Sequence, residues 1–226
     1  PFRKEPMQAY PTPDLLKILE ELSTYPGNHA VISSGRDKKT LEKWLGHLPI
    51  GLAAEHGAFY RENGIWYQTA RKVEWDEEIP NIIKQTVKRT PRSKMEVKDT
   101  ALVWHYRNVD IWLADLRVTQ LINALLNPCA RNNLQIMRGN KIVEVKYGDI
   151  SKGSEARRLI GKGNYDFIMA IGDDTTDEEM FLALPQDAIT IKVGQSSNAA
   201  LYNLPTQEQT VLFLNKLMKG KKTGYI

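Results

Sequence analysis

The chain has 226 residues, of which 42% are hydrophobic and 26% are charged, enough to bury a sizeable core in one large or two small domains. Its single cysteine, Cys129, excludes an internal disulfide and a cysteine-built zinc site, and a reducing cytoplasm is the simplest setting. The net charge of +4 does not indicate nucleic-acid binding, and no apolar run approaches the roughly 20 residues that a membrane span needs.

The first predicted elements alternate between helix and strand. Thr12 and Pro13 supply the cap and the first position of a helix. The elements after it are a short buried strand (30–33), a helix marked by Leu41 and Trp44, a strand (50–55) and a hairpin (58–69) that turns at Asn63-Gly64. This order is typical of a β/α domain.

The middle of the chain has a different rhythm. Helices are predicted at 77–88 and 113–126, and each precedes two strands, at 94–98 with 101–107 and at 134–138 with 141–146. The order αββαββ predicts an antiparallel sheet with helices on one face.

After Gly148 the alternation of strand and helix resumes. The predicted elements are a helix (155–160), a strand (167–171), a helix around Phe181, a strand (188–193) and a helix (208–218). The fold class is therefore α/β. Residues 1–72 and 147–226 form the main domain, and residues 73–146 form a smaller α+β domain inserted into it.

A cluster of carboxylates follows the predicted strand near Ile171. Asp173, Asp174 and Asp177 come directly after it, where ligands bind in open α/β sheets. Oxygen ligands of this kind suit Mg²⁺, which favours a metal role for Asp173. The alternative is an acidic helix N-terminus, and it is preferred for Glu178 and its neighbour Glu179.

A second group of polar residues lies at turns between predicted strands and helices, where a phosphate could bind. Ser34, Gly35 and Arg36 follow a short strand, where a hydroxyl and backbone N–H groups can hold a phosphate, although an ordinary turn fits equally well. Lys152 precedes a helix and could add a cation, or could be solvated. His56 lacks a partner at metal-ligand spacing, so a structural role is the default.

The inserted domain contributes charged residues on one predicted sheet face. Glu96, Lys98 and Arg107 alternate into that face at the strand period of two. The pattern alone favours a solvated surface. Trp104 and Trp112 are predicted to belong to the core.

Together these motifs resemble the haloacid dehalogenase superfamily of phosphatases, and within it the trehalose-6-phosphate phosphatases, over essentially the whole chain. The motifs that carry the resemblance are Pro1-Phe2 with Pro6, Ile32-Ser33-Ser34-Gly35-Arg36, Ala54-Glu55-His56-Gly57, Glu96-x-Lys98 with His105-Tyr106-Arg107, Val143-Glu144-Val145, Lys152-Gly153, and Gly172-Asp173-Asp174-x-Thr176-Asp177-Glu178-x-Met180-Phe181.

The resemblance implies a Rossmann-like core with residues 73–146 as an αββαββ cap domain. It implies Mg²⁺ as cofactor, trehalose 6-phosphate as substrate, and a fused or associated trehalose-6-phosphate synthase domain as partner. The residues that it assigns are Ser34 and Lys152 as catalytic; Asp173, Asp174 and Asp177 as serving the metal; and Glu96, Lys98, Arg107, Glu144, Gly35, Arg36 and His56 as contacting substrate. Ser151 departs from the family, which usually has Asn there, and is expected to alter a local hydrogen bond.

One family motif does not occur in the 226 residues. These phosphatases attack phosphorus with the first Asp of Asp-x-Asp-Gly-Thr, forming an aspartyl-phosphate, and use the second as acid and base. Because the motif precedes the matched Pro1-Phe2 in the family, we expect the protein to extend upstream with it and its strand. The alternatives are a catalytically inactive module that binds sugar phosphate, and a sugar phosphatase with another substrate.

Overall fold

The computed structural model describes residues 10–69 and 74–222, which divide into two units. Within the described residues, unit 1 comprises 10–69 and 151–222, and unit 2 comprises 74–150. The expected domain boundary at 72/73 and the motif residues Pro1, Phe2 and Pro6 lie outside the described residues.

Seven helices and eleven strands are present in the described residues. In chain order they are α1 (Pro13–Thr24), β1 (Val31–Ser33), α2 (Lys38–Leu45), β2 (Gly51–Ala54), β3 (Phe59–Glu62), β4 (Ile65–Gln68), α3 (Glu78–Lys88), β5 (Lys94–Val97), β6 (Ala101–His105), α4 (Ile111–Arg131), β7 (Leu134–Gly139), β8 (Ile142–Tyr147), α5 (Lys152–Ile160), β9 (Met169–Gly172), α6 (Thr176–Ala183), β10 (Ile189–Val193), β11 (Tyr202–Leu204) and α7 (Gln207–Lys222). The predicted αββαββ order is confirmed by α3 through β8.

The caps of the first two helices follow from their sequences. The Thr12 side chain accepts a hydrogen bond from the Leu15 N–H, and Pro13 occupies the first helical position of α1. Asp37 caps α2 by accepting hydrogen bonds from the backbone N–H and hydroxyl of Thr40, at 2.9 and 2.6 Å. These bonds satisfy backbone donors that helix starts otherwise leave unpaired.

Unit 1 contains two sheets whose parallel strands hold the candidate site. One sheet has the order β1-β2-β3-β4 with β1 parallel to β2, and the other has the parallel order β11-β10-β9. Among the described residues β1 pairs only with β2, and β9 only with β10. A cavity of about 280 Å³ is lined by residues of both β1 and β9.

Unit 2 is an antiparallel sheet, ordered β5-β6-β8-β7, with a helical layer on one face. Its core joins the apolar face of the sheet to α3 and α4, and its fully buried members include Ile79, Trp104, Leu121 and Val145. Because side chains alternate along a strand, the opposite face carries the other set of residues, which includes the predicted charged ones.

Several features differ from the sequence-based expectation, among them the start of α5 at Lys152, a residue that was expected to precede the helix. Helix α4 extends beyond 113–126 at both ends, strand β11 was not predicted, and residues Glu55–Gly57 form a 3-10 turn. No helix in the described part of the chain is both long and apolar enough to cross a membrane.

Candidate active site

A buried ion pair joins helices α5 and α6 of unit 1. The Lys152 Nζ lies 2.7 Å from Asp177 Oδ1, and the two residues are only 8% and 4% exposed. Lys152 is the first residue of α5, whose start is fixed by reciprocal hydrogen bonds between Ser151 and Ser154. The pair therefore holds a cation at a defined place beside the end of β9.

The second oxygen of Asp177 organises the turn that follows β9. Asp177 Oδ2 accepts the Asp174 N–H at 2.8 Å, which closes the turn over residues 174–177. Gly172 leaves the room for this carboxylate, since a Cβ at that position would lie 2.2 Å from Asp177 Cγ. Both oxygens of Asp177 are thus occupied, whereas the Asp173 side chain is exposed.

The glycine after Lys152 allows α5 to approach α6. A Cβ at Gly153 would lie 2.6 Å from the Glu179 carbonyl oxygen, a contact with backbone that cannot easily move. The Lys152-Gly153 pair therefore combines a buried cation with the close helix contact that brings it to Asp177.

The turn after β1 is fixed by backbone hydrogen bonds to the neighbouring strand and turn. The Ser34 N–H donates to the Ala53 carbonyl at 2.9 Å, the His56 N–H donates to the Ser34 carbonyl at 3.0 Å, and Ser34 Oγ accepts the Arg36 N–H at 3.2 Å. The Arg36 guanidinium packs over Trp44, 4.4 Å from the ring centroid.

His56 is held in an unusual backbone conformation against this turn. Glu55 and His56 have φ values of 49° and 60°, in the left-handed region that costs non-glycine residues energy. A Cβ at Gly35 would lie 2.6 Å from His56 Nε2, so the imidazole and the turn backbone are in close contact. The sequence motif therefore combines a strained turn with a glycine that accommodates the ring.

The cavity in unit 1 is lined by residues of β1 and β9 and by the Lys152–Asp177 pair. Ser33, Lys152 and Asp177 line it together with apolar side chains from β1 and β9. The buried Ser33 Oγ has no hydrogen-bond partner among the described residues. The cavity is therefore mostly apolar, with a hydroxyl, an ammonium and a carboxylate in its wall.

The residues after β9 fit a partial Mg²⁺ site. In the described part of the chain, no group of three or more His, Cys, Asp or Glu side chains could hold a metal. Mg²⁺ usually takes one or two protein carboxylates and completes its shell with water and phosphate oxygens. Asp173 and Asp174 offer that number at the end of β9, whereas Asp177 already serves Lys152 and the Asp174 amide.

Unit 2 gathers its predicted site residues on the sheet face opposite its helices. The strand register places Glu96, Val103 and Glu144 side by side across β5, β6 and β8. Lys98 Nζ lies 3.0 Å from Glu144 Oε1, and both side chains are largely buried. This face therefore holds two carboxylates and an ammonium group within one small area.

Two further residues extend the polar face of unit 2, and one predicted residue lies at its end. His105 Nε2 is 2.6 Å from Glu96 Oε2. Lys146, which is buried, donates to the Ile150 carbonyl. Arg107 lies beyond β6, where its Nη2 donates to the Asn140 carbonyl at 3.1 Å.

Several of these contacts were not predicted from the sequence. His105 and Lys146 were not assigned a role, and neither was Lys192, which pairs with Glu178 at 2.8 Å. Burial acts to raise the pKa of Glu178, but the hydrogen bonds from Lys192 and Ser197 outweigh it, so the pKa lies below its ordinary value. The available signal was a buried-strand lysine flanked by the aliphatic residues Ile191 and Val193 of β10.

Comparison with known protein families matches residues 1–208 to the family described as trehalose-phosphatase. A bifunctional trehalose-6-phosphate synthase/phosphatase of Thermoproteus tenax is 39% identical over 206 residues, covering 90% of this chain and 28% of the relative. An alpha,alpha-trehalose-phosphate synthase of Dictyostelium discoideum is 37% identical over 225 residues, covering 96% of this chain and 28% of the relative. The chain thus spans less than a third of the length of these curated relatives.

A solved structure gives the corresponding structural match. The C-terminal domain of trehalose-6-phosphate phosphatase from C. albicans superimposes with a TM-score of 0.89 at 30% sequence identity. The match covers 97% of this chain and 88% of that domain. The similarity therefore extends through both units rather than through one motif.

Proposed function

The chain belongs to the trehalose-phosphatase family and has its haloacid-dehalogenase-like fold. On that premise we propose that the protein hydrolyses trehalose 6-phosphate to trehalose and phosphate with the help of Mg²⁺. The observation that carries this proposal is the buried Lys152–Asp177 pair beside the exposed carboxylate of Asp173.

Lys152 would bind the transferring phosphoryl group. Its ammonium is held by Asp177 at 2.7 Å and lines the cavity, so it is preorganised to offset developing negative charge on phosphate oxygens. The Ser34 hydroxyl, whose oxygen accepts the Arg36 N–H at 3.2 Å, would orient the same group. The role of Asp177 is then to position Lys152 and the Asp174 amide.

Asp173 and Asp174 would hold Mg²⁺ at the end of β9. When bound there, the ion supplies charge neutralisation and a fixed orientation for the phosphate. The aspartyl-phosphate route implied by the family resemblance stays a prediction, because the 226 residues contain no Asp-x-Asp-Gly-Thr motif.

The polar face of unit 2 would recognise the sugar. Glu96, Lys98 and Glu144 offer charged acceptors and donors whose hydrogen bonds to hydroxyl groups are stronger than those of neutral groups. Arg107, at the end of the same sheet, adds donors. We assign residues 73–146 the role of a cap domain on this basis.

The whole protein would also contain or bind a trehalose-6-phosphate synthase domain. The Thermoproteus tenax relative is named as a bifunctional synthase/phosphatase, and this chain corresponds to 28% of its length. The cap role and this partnership both depend on the phosphatase activity, which is tested first.

The test is phosphate release from trehalose 6-phosphate by the full protein that contains this chain, with and without Mg²⁺. We expect release by the wild type, loss of release on chelation, and a decrease in kcat/KM of about 100-fold or more in Asp173→Asn, because the metal loses a carboxylate. The matched control is Asp187→Asn, an exposed aspartate before β10, which is expected to retain activity. Full activity of Asp173→Asn, or release that is indifferent to chelation, would contradict the metal assignment.

A further inference from the structure

Lys192 is a buried cation to which the proposed function assigns no role. It is the fourth residue of β10, between Ile191 and Val193, and is only 6% exposed. Burying an ammonium group costs several kcal/mol unless partners compensate for the lost water. The contacts of the Lys192 ammonium group must therefore compensate for its lost hydration.

The strand register places Lys192 next to the start of the carboxylate turn. In the parallel pairing of β10 with β9, Lys192 lies opposite Gly172, the residue directly before Asp173. Paired residues in a parallel sheet project to the same face, and Gly172 has no side chain of its own there, although the Asp177 carboxylate approaches that position. The lysine side chain can therefore reach along that face to the turn.

The ammonium group makes two contacts there, and neither involves the carboxylate of Asp173 or Asp174. Lys192 Nζ donates to the backbone carbonyl of Asp174 at 2.7 Å and lies 2.8 Å from Glu178 Oε1. The same carbonyl accepts the Asp177 N–H at 3.2 Å. Lys192 thus holds the backbone of the turn without contacting the carboxylate of Asp173 or Asp174, and Asp174 Oδ1 accepts the Thr175 N–H at 2.7 Å.

The partner of Lys192 is itself fixed from the other side. Ser197 Oγ donates a hydrogen bond to Glu178 Oε2. The same Ser197 Oγ accepts hydrogen bonds from the backbone N–H groups of Ala199 and Ala200, at 3.0 Å each. The loop after β10 is therefore connected through Ser197 and Glu178 to Lys192. A flexible lysine is in this way restricted to one position.

We propose that Lys192 is a positioning residue, which fixes the Asp173–Asp174 turn in the geometry that binds Mg²⁺. This role rests on the proposed function, since it presupposes the metal assignment of the two aspartates. Partners that orient metal ligands from outside the coordination shell commonly change metal affinity by about 10- to 100-fold when they are removed.

The direction in which Mg²⁺ affinity changes when Lys192 is removed distinguishes a positioning role from a purely electrostatic one. If Lys192 acted only as a nearby positive charge, its removal would strengthen the binding of a cation. If it positions the turn, its removal weakens binding, because the carboxylates lose their fixed arrangement. The two roles therefore predict opposite changes in Mg²⁺ affinity.

The test measures Mg²⁺ binding calorimetrically with the full protein in the absence of substrate. The variants are Lys192→Met, which keeps the length of the side chain but not its charge, and Lys192→Arg, which keeps the donor. The matched control is Lys162→Met, which removes a unit 1 ion pair of 2.6 Å with Glu62 that does not contact the turn. Hydrogen exchange of the amides at 172–178 in metal-free protein gives a second readout.

We expect Lys192→Met to weaken Mg²⁺ binding by about 10-fold or more and to accelerate amide exchange in the turn, with Lys192→Arg near wild type and Lys162→Met unchanged. Unchanged or tighter Mg²⁺ binding by folded Lys192→Met would overturn the proposal. If that variant does not fold, Mg²⁺ binding is measured with Ser197→Ala instead. Loss of the Ser197 hydroxyl releases Glu178, the partner of Lys192, and must therefore also weaken Mg²⁺ binding if the proposal is correct. Wild-type protein that binds Mg²⁺ but releases no phosphate would contradict the phosphatase proposal alone.

Discussion

The two tryptophans predicted to lie in the core, Trp104 in β6 and Trp112 in α4, differ in burial. Trp104 was predicted to be in the core and is fully buried there, but the same prediction for Trp112 is wrong, since 83% of its surface is exposed. The buried positions of α4 include Ala114, Val118 and Leu121. Trp112 precedes Ala114 by two residues, which places it about 200° around the helix and on the opposite side.

Residues that act through distant partners were the hardest to assign from sequence. Lys192 contacts residues 18 and 14 positions earlier, and Lys98 contacts Glu144 across 46 positions. Local pattern predicted the strands that carry these side chains but not which side chains meet. Lys152 was assigned only by the family resemblance, since the local pattern left it open between a site cation and a solvated lysine, and α5 begins at this residue rather than after it.

Cys129 gives a prediction at the scale of a single residue. Burial raises the pKa of its thiol to about 11 from an ordinary value of 9.0, and only 1% of the residue is exposed. At pH 8 about one native molecule in a thousand would carry a thiolate, the reactive form. We expect the native protein to resist a disulfide reagent such as DTNB at pH 8 and to react once it is unfolded in denaturant.

The same shift predicts a dependence of stability on pH. Because the folded pKa is raised, the contribution to stability is fully present below pH 9 and is lost as the pH rises towards 11. The free energy of unfolding of the wild type should therefore fall more steeply over this interval than that of Cys129→Ala. Rapid labelling of native protein, or parallel pH profiles, would contradict the burial of this thiol.

At the scale of elements, strong local sequence signals were sufficient to predict helices and hairpins, whereas short strands and unusual turns were missed. The cap at Thr12 and the turn at Asn63-Gly64 gave α1 and the β3–β4 hairpin near their observed bounds. The three-residue β11 lies below the length at which alternation can be recognised. The turn at Glu55 and His56 could not be predicted because non-glycine residues with positive φ are stabilised by their surroundings.

Gly172 provides a prediction for the turn between β9 and α6. In Gly172→Ala the new methyl group would lie 2.2 Å from Asp177 Cγ, so Asp177 must move away from Lys152 and the Asp174 amide. We expect the free energy of unfolding to fall by about 1–3 kcal/mol. Denaturant unfolding of the full protein measures this change.

The control for this variant is another glycine of unit 1. A Cβ at Gly163 would meet Tyr165 at 3.5 Å, an ordinary van der Waals distance. Gly163→Ala should therefore change stability by no more than about 0.5 kcal/mol. Equal stabilities of the two variants would show that the close approach at Gly172 is not required.

At the scale of the whole molecule, the order of elements could be predicted, but the long-range pairing of unit 1 could not. The alternation of strands and helices indicated an α/β fold with an inserted α+β segment, as α3 through β8 of unit 2 show. The sequence contains no strand that could be assigned between β1 and β9, and in the described residues both remain edges.

The central claim is that the protein is a phosphatase specific for trehalose 6-phosphate, and the most direct measurement is kcat/KM for phosphate release from three sugar phosphates. The full protein would be assayed with trehalose 6-phosphate, glucose 6-phosphate and sucrose 6-phosphate at saturating Mg²⁺. Binding energy from the part of the sugar that does not react contributes to the rate, so we predict a preference of at least about 100-fold for trehalose 6-phosphate. Equal values for all three substrates would contradict the account.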